Sequence, residues 1–496
     1  MKVFLMHPEQ DFDPQAQLPE HADDLIRDLE LETLLAAMAG GDDYLLTVAR
    51  AGVLHPLADP AVIRYRQEIL ADCLRHPDAL RALYHLAAEA VAAEKKIWRT
   101  FWKSPDIILH RALEVMGVFL GYIRRLRTLT DTYAEMFSAP GLQRFMRMVG
   151  EELSDEYLQR VENHLAELSF RRGVLLSARL GRGNKGEDYT LHRYTERSLL
   201  QRIASGERRA AGYTFRIPDR DEAGHRALSE LRGRGLNVVA DALARSADHV
   251  LSFFAALRAE LGFYLGCVQL AERLASLGCR WSFPDVHQPS ARRFHARHLY
   301  DVCLALTIGG PVVGNDVDAD GKLLVLVTGP NQGGKSTFLR SVGLAQLLMQ
   351  AGMFVPADAL DASVAGGIFT HFKREEDPAL RGGKLEEELA RMSAIADRVH
   401  TGSVVLCNES FSATNEREGS EIAQQVIDAF MDCGVRVFFV THLYDLARRY
   451  SERQDRRVLF LRAERLPDGR RTFRMIVGAP EPTSHAADSY RRIFGL

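Results

Sequence analysis

LLVLVTGPNQGGKST, residues 323–337, decides the fold. An apolar, β-branched run of six residues ends abruptly in glycine. After the pattern GxxxxGKS the chain continues as SVGLAQLLMQ, with helical spacing. A strand that feeds a glycine loop opening a helix is a cradle for phosphate. The glycines let the backbone curl so that successive N–H groups face an anion, and the helix N-terminus adds the positive end of its dipole. Gly329, Pro330, Asn331, Gln332, Gly333, Gly334, Lys335, Ser336 and Thr337 form this loop. Lys335 is expected to reach the β- and γ-phosphates of ATP, and the Ser336 hydroxyl to bind Mg²⁺.

Outward from the loop the period stays that of an α/β domain. GGIFTHF (366–372), SVVLCN (403–408), VRVFFVT (435–441), RVLFLRA (457–463) and TFRMIV (472–477) read as strands. Helices are predicted at 336–351, 384–400 and 418–432, which gives a mainly parallel sheet. Two further elements fall at strand ends, the edge that faces a ligand in such sheets. SVVLCN ends at Asn408-Glu409. Glu409 is the candidate to orient and deprotonate an attacking water. Asn408 stands where an aspartate is usual: it can still accept a hydrogen bond from a metal-bound water, but it brings no charge. VRVFFVT ends at Thr441-His442, and His442 is placed to sense a γ-phosphate.

The N-terminal half has a different character. Residues 1–20 are polar, acidic and broken by prolines, which suggests an extended or loosely docked arm. From Ala22 to about Gly150 the pattern is of short helices, with longer stretches at Ile107–Phe137 and Leu142–Leu168. Leu236, Ala240, Leu243, Ala247, Val250, Phe254, Leu257, Leu261, Tyr264, Val268 and Ala271 form a sustained heptad seam, so a long helix needing a partner is predicted. Before it, residues 170–216 hold eleven Arg or Lys against four Asp or Glu, broken by glycines. Arg171, Arg172, Arg179, Arg182 and Lys185 are candidate phosphate-backbone contacts for DNA, with a solvated basic surface as the bland alternative. KKIWRTFWK (95–103) reads as an amphipathic core helix with a wet face.

The whole is a multidomain α and α/β chain: 1–45 as arm and first helix, 46–295 as an all-α core with long lever helices and the basic insertion, and 296–496 as a P-loop (ABC-type) ATPase domain. The 496 residues are 46% hydrophobic and 26% charged, with a net charge of −3 that neither supports nor excludes nucleic acid. Six scattered cysteines without a CxxC pair argue against a disulfide framework or zinc site. With no signal peptide and no uninterrupted apolar stretch of spanning length, a cytoplasmic location away from the membrane is expected.

TGPNQGGKSTFLRSVGLAQLLMQAGMFVPA (328–357), NESFSATNEREG (408–419) and the TH and DL pairs at 441–442 and 445–446 together resemble the ATPase domain of the MutS family. HPLADPAVIRYRQEIL (55–70) is similar to the start of that family's helical core. The resemblance implies ATP and Mg²⁺ as cofactors, DNA as a partner held mostly by its backbone, and a homodimer with composite ATP sites. It also implies that Asn315, in GND, lies near the nucleotide base. Departures accompany it. No Phe-x-Glu occurs in the chain, so the family's mismatch-reading wedge is not expected, and neither is a nuclease-like tail. The loop that completes the partner's site usually offers Ser-Thr-Phe; here RGGKLEEEL (381–389) puts Gly383, Lys384 and Leu385 there. Either Lys384 supplies charge toward the partner's phosphate or the contact is absent. The function implied is a nucleotide-controlled clamp on mismatched, branched or damaged DNA. The alternatives are an ATP-driven switch holding a protein, and a nucleotide-binding scaffold that scarcely hydrolyses.

Overall fold

The computed structural model describes residues 1–97, 104–171, 173–193, 214, 216–374, 383–466 and 470–481. Trp98–Lys103 of the KKIWRTFWK segment, Arg172, Tyr194, Tyr213, Phe215 and residues 381–382 lie outside them. By spatial contact the chain forms two units. One contains Met1–Val3, Ala82–Glu135 and Arg144–Arg258; the other contains Phe4–Arg81, Met136–Gln143 and Ala259–Leu496.

The first unit is helical. Helices Pro105–Tyr133, Asp155–Leu168 and the first part of Glu222–Ser276 dominate it, with a hairpin of β1 (Leu175–Leu180) and β2 (Gly186–His192). The heptad seam behaves as its spacing requires: all eleven positions from Leu236 to Ala271 are buried. Within this unit Phe254 meets Phe119 with ring centroids 5.9 Å apart. The helix is 55 residues long and starts fourteen residues before the seam. By composition it is apolar enough to cross a membrane, but its most apolar window is 72% buried, as a core helix is. The stretch Leu142–Leu168 is two helices rather than one. Pro140–Glu152 ends before Ser154, whose hydroxyl accepts the Tyr157 N–H and caps a new start.

In the second unit a six-stranded sheet has the order β12-β11-β6-β10-β9-β8. Its strands are β6 (Leu324–Thr328), β8 (Ile368–Phe372), β9 (Val404–Asn408), β10 (Arg436–Val440), β11 (Val458–Arg465) and β12 (Arg471–Val477). All pairs are parallel except β11 with β12. Strands buried on both faces explain the near-continuous apolar runs. Leu324 and Leu326 of β6 join Val405, Val437, Phe439, Ile427 and Tyr450 in one core. The intervening Val325 and Val327 are equally buried. A second sheet, which the sequence pattern does not reveal, has the order β3-β7-β4-β5, from Asp285–His287, Ala359–Ser363, Phe294–Leu299 and Asn315–Asp318. Its strands are short and mixed with polar residues, which hides them from a pattern reading.

The N-terminal arm is extended but not loosely docked. Leu5 and Met6 are fully buried. Their N–H groups donate to Glu260 Oε2 at 2.5 and 2.9 Å, and Phe12 N–H donates to Oε1 at 3.0 Å. Tyr264 Oη donates to Leu5 O at 2.6 Å, and Arg66 Nε to Met6 O at 2.6 Å. A segment without regular structure has to place its backbone groups somewhere, and here a buried carboxylate takes three of them. Burial pushes the Glu260 carboxyl up to about 7, although the three N–H donors pull it down. An acid with a raised folded pKa stabilises fully below its unfolded value and loses that contribution as pH rises through the folded one. Thermal stability should therefore fall between about pH 5 and pH 8, by on the order of 3 kcal/mol at most. Glu260→Gln, neutral throughout, should flatten that fall. Parallel pH profiles of the two proteins would remove Glu260 from the account.

Candidate functional site

The phosphate loop leaves the C-terminal end of β6 and enters the helix Lys335–Gln350. Its glycines are demanded by geometry at two points. Gly329 has φ +117° and lies so close to Ala463 that a Cβ would stand 2.9 Å from the Ala463 nitrogen; Gly334 caps the helix at φ +89°. Both values are strained for any residue with a side chain. The Lys335 side chain folds back over the loop, its Nζ donating to Gly329 O at 2.9 Å and Pro330 O at 3.1 Å. Burial holds its pKa below the usual value; the Glu409 carboxylate opposes this shift and the Arg471 guanidinium adds to it.

Asn408, Glu409 and His442 arrive from nearby strand ends because β10 lies beside β6, and β9 beside β10, all parallel and in register. Ser336 Oγ donates to Asn408 Oδ1 at 3.0 Å. That pair supplies two hard oxygen groups, and with Glu409 alongside they would suit Mg²⁺. Glu409 sits at the strand tip with φ +54°, its N–H donating to Val440 O at 2.9 Å. Its carboxylate is 28% exposed, so it is open to a ligand. His442 Nδ1 stands 3.9 Å from Glu409 Oε1. This is too long for a hydrogen bond, but it puts both groups at one place.

Behind Glu409 lies a network that the sequence reading missed. His371 is fully buried at the end of β8. Its Nε2 lies 3.0 Å from Glu388 O and its Nδ1 2.6 Å from Ser410 Oγ. Burial lowers its pKa to about 4, so the ring is neutral. A carbonyl only accepts, so Nε2 carries the proton; the Ser410 hydroxyl, beside the bare Nδ1, also reaches His371 O at 2.8 Å, and its one proton serves either acceptor. Phe411 stacks on the ring at 5.7 Å. The residue after the candidate base is thereby tied to the helix Lys384–Ala396. Gly383 caps that helix and Lys384 begins it, so the described part of RGGKLEEEL is a helix start rather than a loop.

Beside the loop is a cavity of about 430 Å³ lined by Leu304, Pro311, Val312, Phe338, Phe473 and Gln332, among others. Asn315 also lines it, yet its amide is engaged by β12: Nδ2 donates to Phe473 O at 3.4 Å, and Oδ1 accepts Met475 N–H at 2.6 Å. An apolar slot of this size next to a phosphate loop suits a planar base. Arg471, also on β12, donates from Nη1 to Gln332 Oε1 at 2.8 Å. Neither Arg471 nor Phe473 carried a local signal. Only the antiparallel return of β12 beside β11 brings them to the loop.

The candidate DNA contacts lie in the first unit. Arg179, Arg182 and Lys185 stand on the β1–β2 hairpin and its connection, and Arg171 lies just before it; all four are exposed. Arg179 is 83% exposed and only 3.7 Å from Asp188 Oδ2, a weak surface pair. The hairpin also exposes Leu175 and Leu180, at 50% and 79%.

Residues 58–277 match the family described as MutS2 N-terminal domain, and residues 325–483 match MutS domain V. The chain is similar to the DNA mismatch repair protein MutS of Granulibacter bethesdensis, 31% identical over 326 residues, covering 64% of this chain and 34% of that protein. The MutS of Chloroflexus aurantiacus is 29% identical over 224 residues, 44% of this chain and 23% of its own length. MutS protein homolog 4 of Mus musculus is 29% identical over 136 residues, 27% of this chain and 14% of that protein. The chain thus matches about a third or less of each of these relatives. The phosphate loop, Asn408-Glu409 and His442 all fall inside the second matched region, and the heptad seam falls inside the first. With the helical part and the α/β part each matched within one lineage, the chain belongs to the MutS family.

Proposed function

We propose that this protein binds and hydrolyses ATP with Mg²⁺ and uses the nucleotide to control a grip on DNA. Mismatched, branched or damaged duplexes are the targets, and the setting is DNA repair or recombination. The observation that carries the reading is the assembly of Lys335, Ser336, Asn408, Glu409 and His442 at three adjacent strand ends. Ser336 and Asn408 would hold Mg²⁺, which would supply Lewis-acid neutralisation of phosphate charge when bound. Lys335 and the loop N–H groups hold the phosphates, Glu409 takes the proton of the attacking water, and His442 registers the terminal phosphate. The protein acts as a homodimer with composite ATP sites.

Arg471 adds a second cation near the loop and helps hold the phosphates of ATP and ADP alike. Arg471→Ala should weaken both nucleotides about tenfold, roughly the worth of one charge-assisted hydrogen bond. Titration with a fluorescent nucleotide checks this. Unchanged affinity would leave Arg471 as a partner of Gln332 only.

The hairpin is the DNA-facing element. Backbone contacts carry no sequence information and are salt-sensitive, so affinity should fall steeply with salt. Replacing Arg171, Arg179, Arg182 and Lys185 by Ala should weaken homoduplex, mismatch and junction binding alike. It should also lower the log–log salt slope by about 0.9 for each phosphate no longer neutralised. Gel shifts across a salt series measure this. Absence of duplex or junction binding at low salt would overturn the DNA reading and favour the alternative, a switch holding a protein. The exposed Leu175 and Leu180 on the same hairpin are the observation that favours that alternative.

A further inference from the structure

The strands that carry the phosphate loop, Glu409 and His442 at their C-terminal ends begin at the opposite edge of the same sheet. There the starts of β6, β9 and β10, with the turn at 289–292, enclose another cavity of about 430 Å³. Its lining includes Arg292, Arg436, Ser290 and Ser363, and contains no aspartate or glutamate.

Arg436 is the fixed member. It is buried, and its guanidinium donates to three carbonyls: Lys322 O at 3.1 Å, Arg293 O at 3.1 Å and Arg292 O at 2.5 Å. A guanidinium has five N–H groups, so two remain. Its nearest acids are committed elsewhere: Arg293 pairs with Asp320 at 3.1 Å and with Asp361 at 2.5 Å. Burial lowers the Arg436 pKa to about 10; the Asp320 carboxylate opposes that shift and the like charge of Arg292 adds to it. A buried charge whose hydrogen bonds go only to carbonyls, and whose nearest acid, Asp320, is shared with Arg293, has room for an anion to complete it.

Arg292 is the exposed member. Its backbone sits at φ +49°, a strained value for arginine, with its carbonyl turned onto Arg436. The side chain is exposed and forms no ion pair among the described residues. Its Nη2 lies over Gly434, 3.8 Å from where a Cβ would stand. Ser363 Oγ accepts the Arg293 N–H at 3.0 Å, which leaves its own proton to donate. Two cations with hydroxyl donors and no acid suit a dianion with several acceptor oxygens better than a planar monoanion.

We propose that this cavity is a second anion site, distinct from the nucleotide site, that binds a phosphoryl group between Arg292 and Arg436. The probe is inorganic phosphate, followed by phosphorus NMR line broadening at constant ionic strength. Because the phosphate loop also attracts phosphate, the measurement is made on Lys335→Ala protein. Broadening should persist there and weaken about tenfold when Arg292→Ala is added, with Arg292→Lys intermediate. Arg292 is exposed, so its loss should leave the melting temperature without phosphate unchanged; this separates ligand loss from misfolding. No phosphate binding in Lys335→Ala protein, or equal binding with and without Arg292, would overturn the proposal.

Discussion

Glu409→Gln should reduce ATP turnover by on the order of 10²-fold or more while ATP still binds. The substitution keeps the shape of the side chain and removes only its capacity to take a proton. The backbone at this position is set by other groups. Glu409 N–H is held by Val440 O, and Ser410 is held by the His371 network, so the glutamine should occupy the same place. Single-turnover measurements separate the chemical step from binding and release. Turnover like the wild type would remove Glu409 from the mechanism. The companion change, Asn408→Asp, restores a charge beside Ser336 and should lower the Mg²⁺ concentration required. A chain that scarcely hydrolyses with Asn408 and turns over faster with aspartate would support the scaffold reading.

The α/β half was legible in the sequence because its constraints are local. A strand, a glycine loop and a helix start have to be consecutive for the backbone to curl around phosphate, so LLVLVTGPNQGGKST carries its own geometry. Asn408-Glu409 and His442 were legible because parallel strands put all their C-terminal ends at one edge. What was missed is held by contacts distant in sequence. Arg471 and Phe473 reach the loop only through the return of β12, and TFRMIV reads as any amphipathic strand. Glu260 lies on a helix whose heptad seam gives no hint of a buried acid. Its role becomes visible only when Leu5, Met6 and Phe12, some 250 residues earlier, bring their N–H groups to it. The polar, proline-broken arm looked loose for the same reason: its anchors are side chains of other segments. His371 was passed over as part of an apolar strand, since nothing local distinguishes a buried histidine with two partners from a surface one.

Lys335→Ala should weaken ATP binding by about 10²-fold, the loss of roughly two charge-assisted hydrogen bonds. The geometry of the loop explains why the effect should be large. The ammonium is buried, and it donates to the Gly329 and Pro330 carbonyls of its own loop rather than to a carboxylate. Burial already disfavours its charge. A phosphate arriving at the loop therefore meets a poorly compensated cation and relieves that penalty, so the interaction is stronger than one with a solvated lysine. Ligand-induced stabilisation gives the readout. At ATP about 100 times its dissociation constant the wild type should gain about 2.7 kcal/mol, whereas a protein binding 10²-fold more weakly should gain only about 0.4 kcal/mol at the same concentration. The alanine also leaves two loop carbonyls without their donor, so the stability of each protein without ATP sets its own baseline. Lys335→Met, which fills more of the same volume without charge, should behave as the alanine does if charge is the cause. Equal stabilisation of wild type and both variants by ATP would show that the nucleotide binds elsewhere, and the assignment of Lys335, Ser336 and the loop would fall with it.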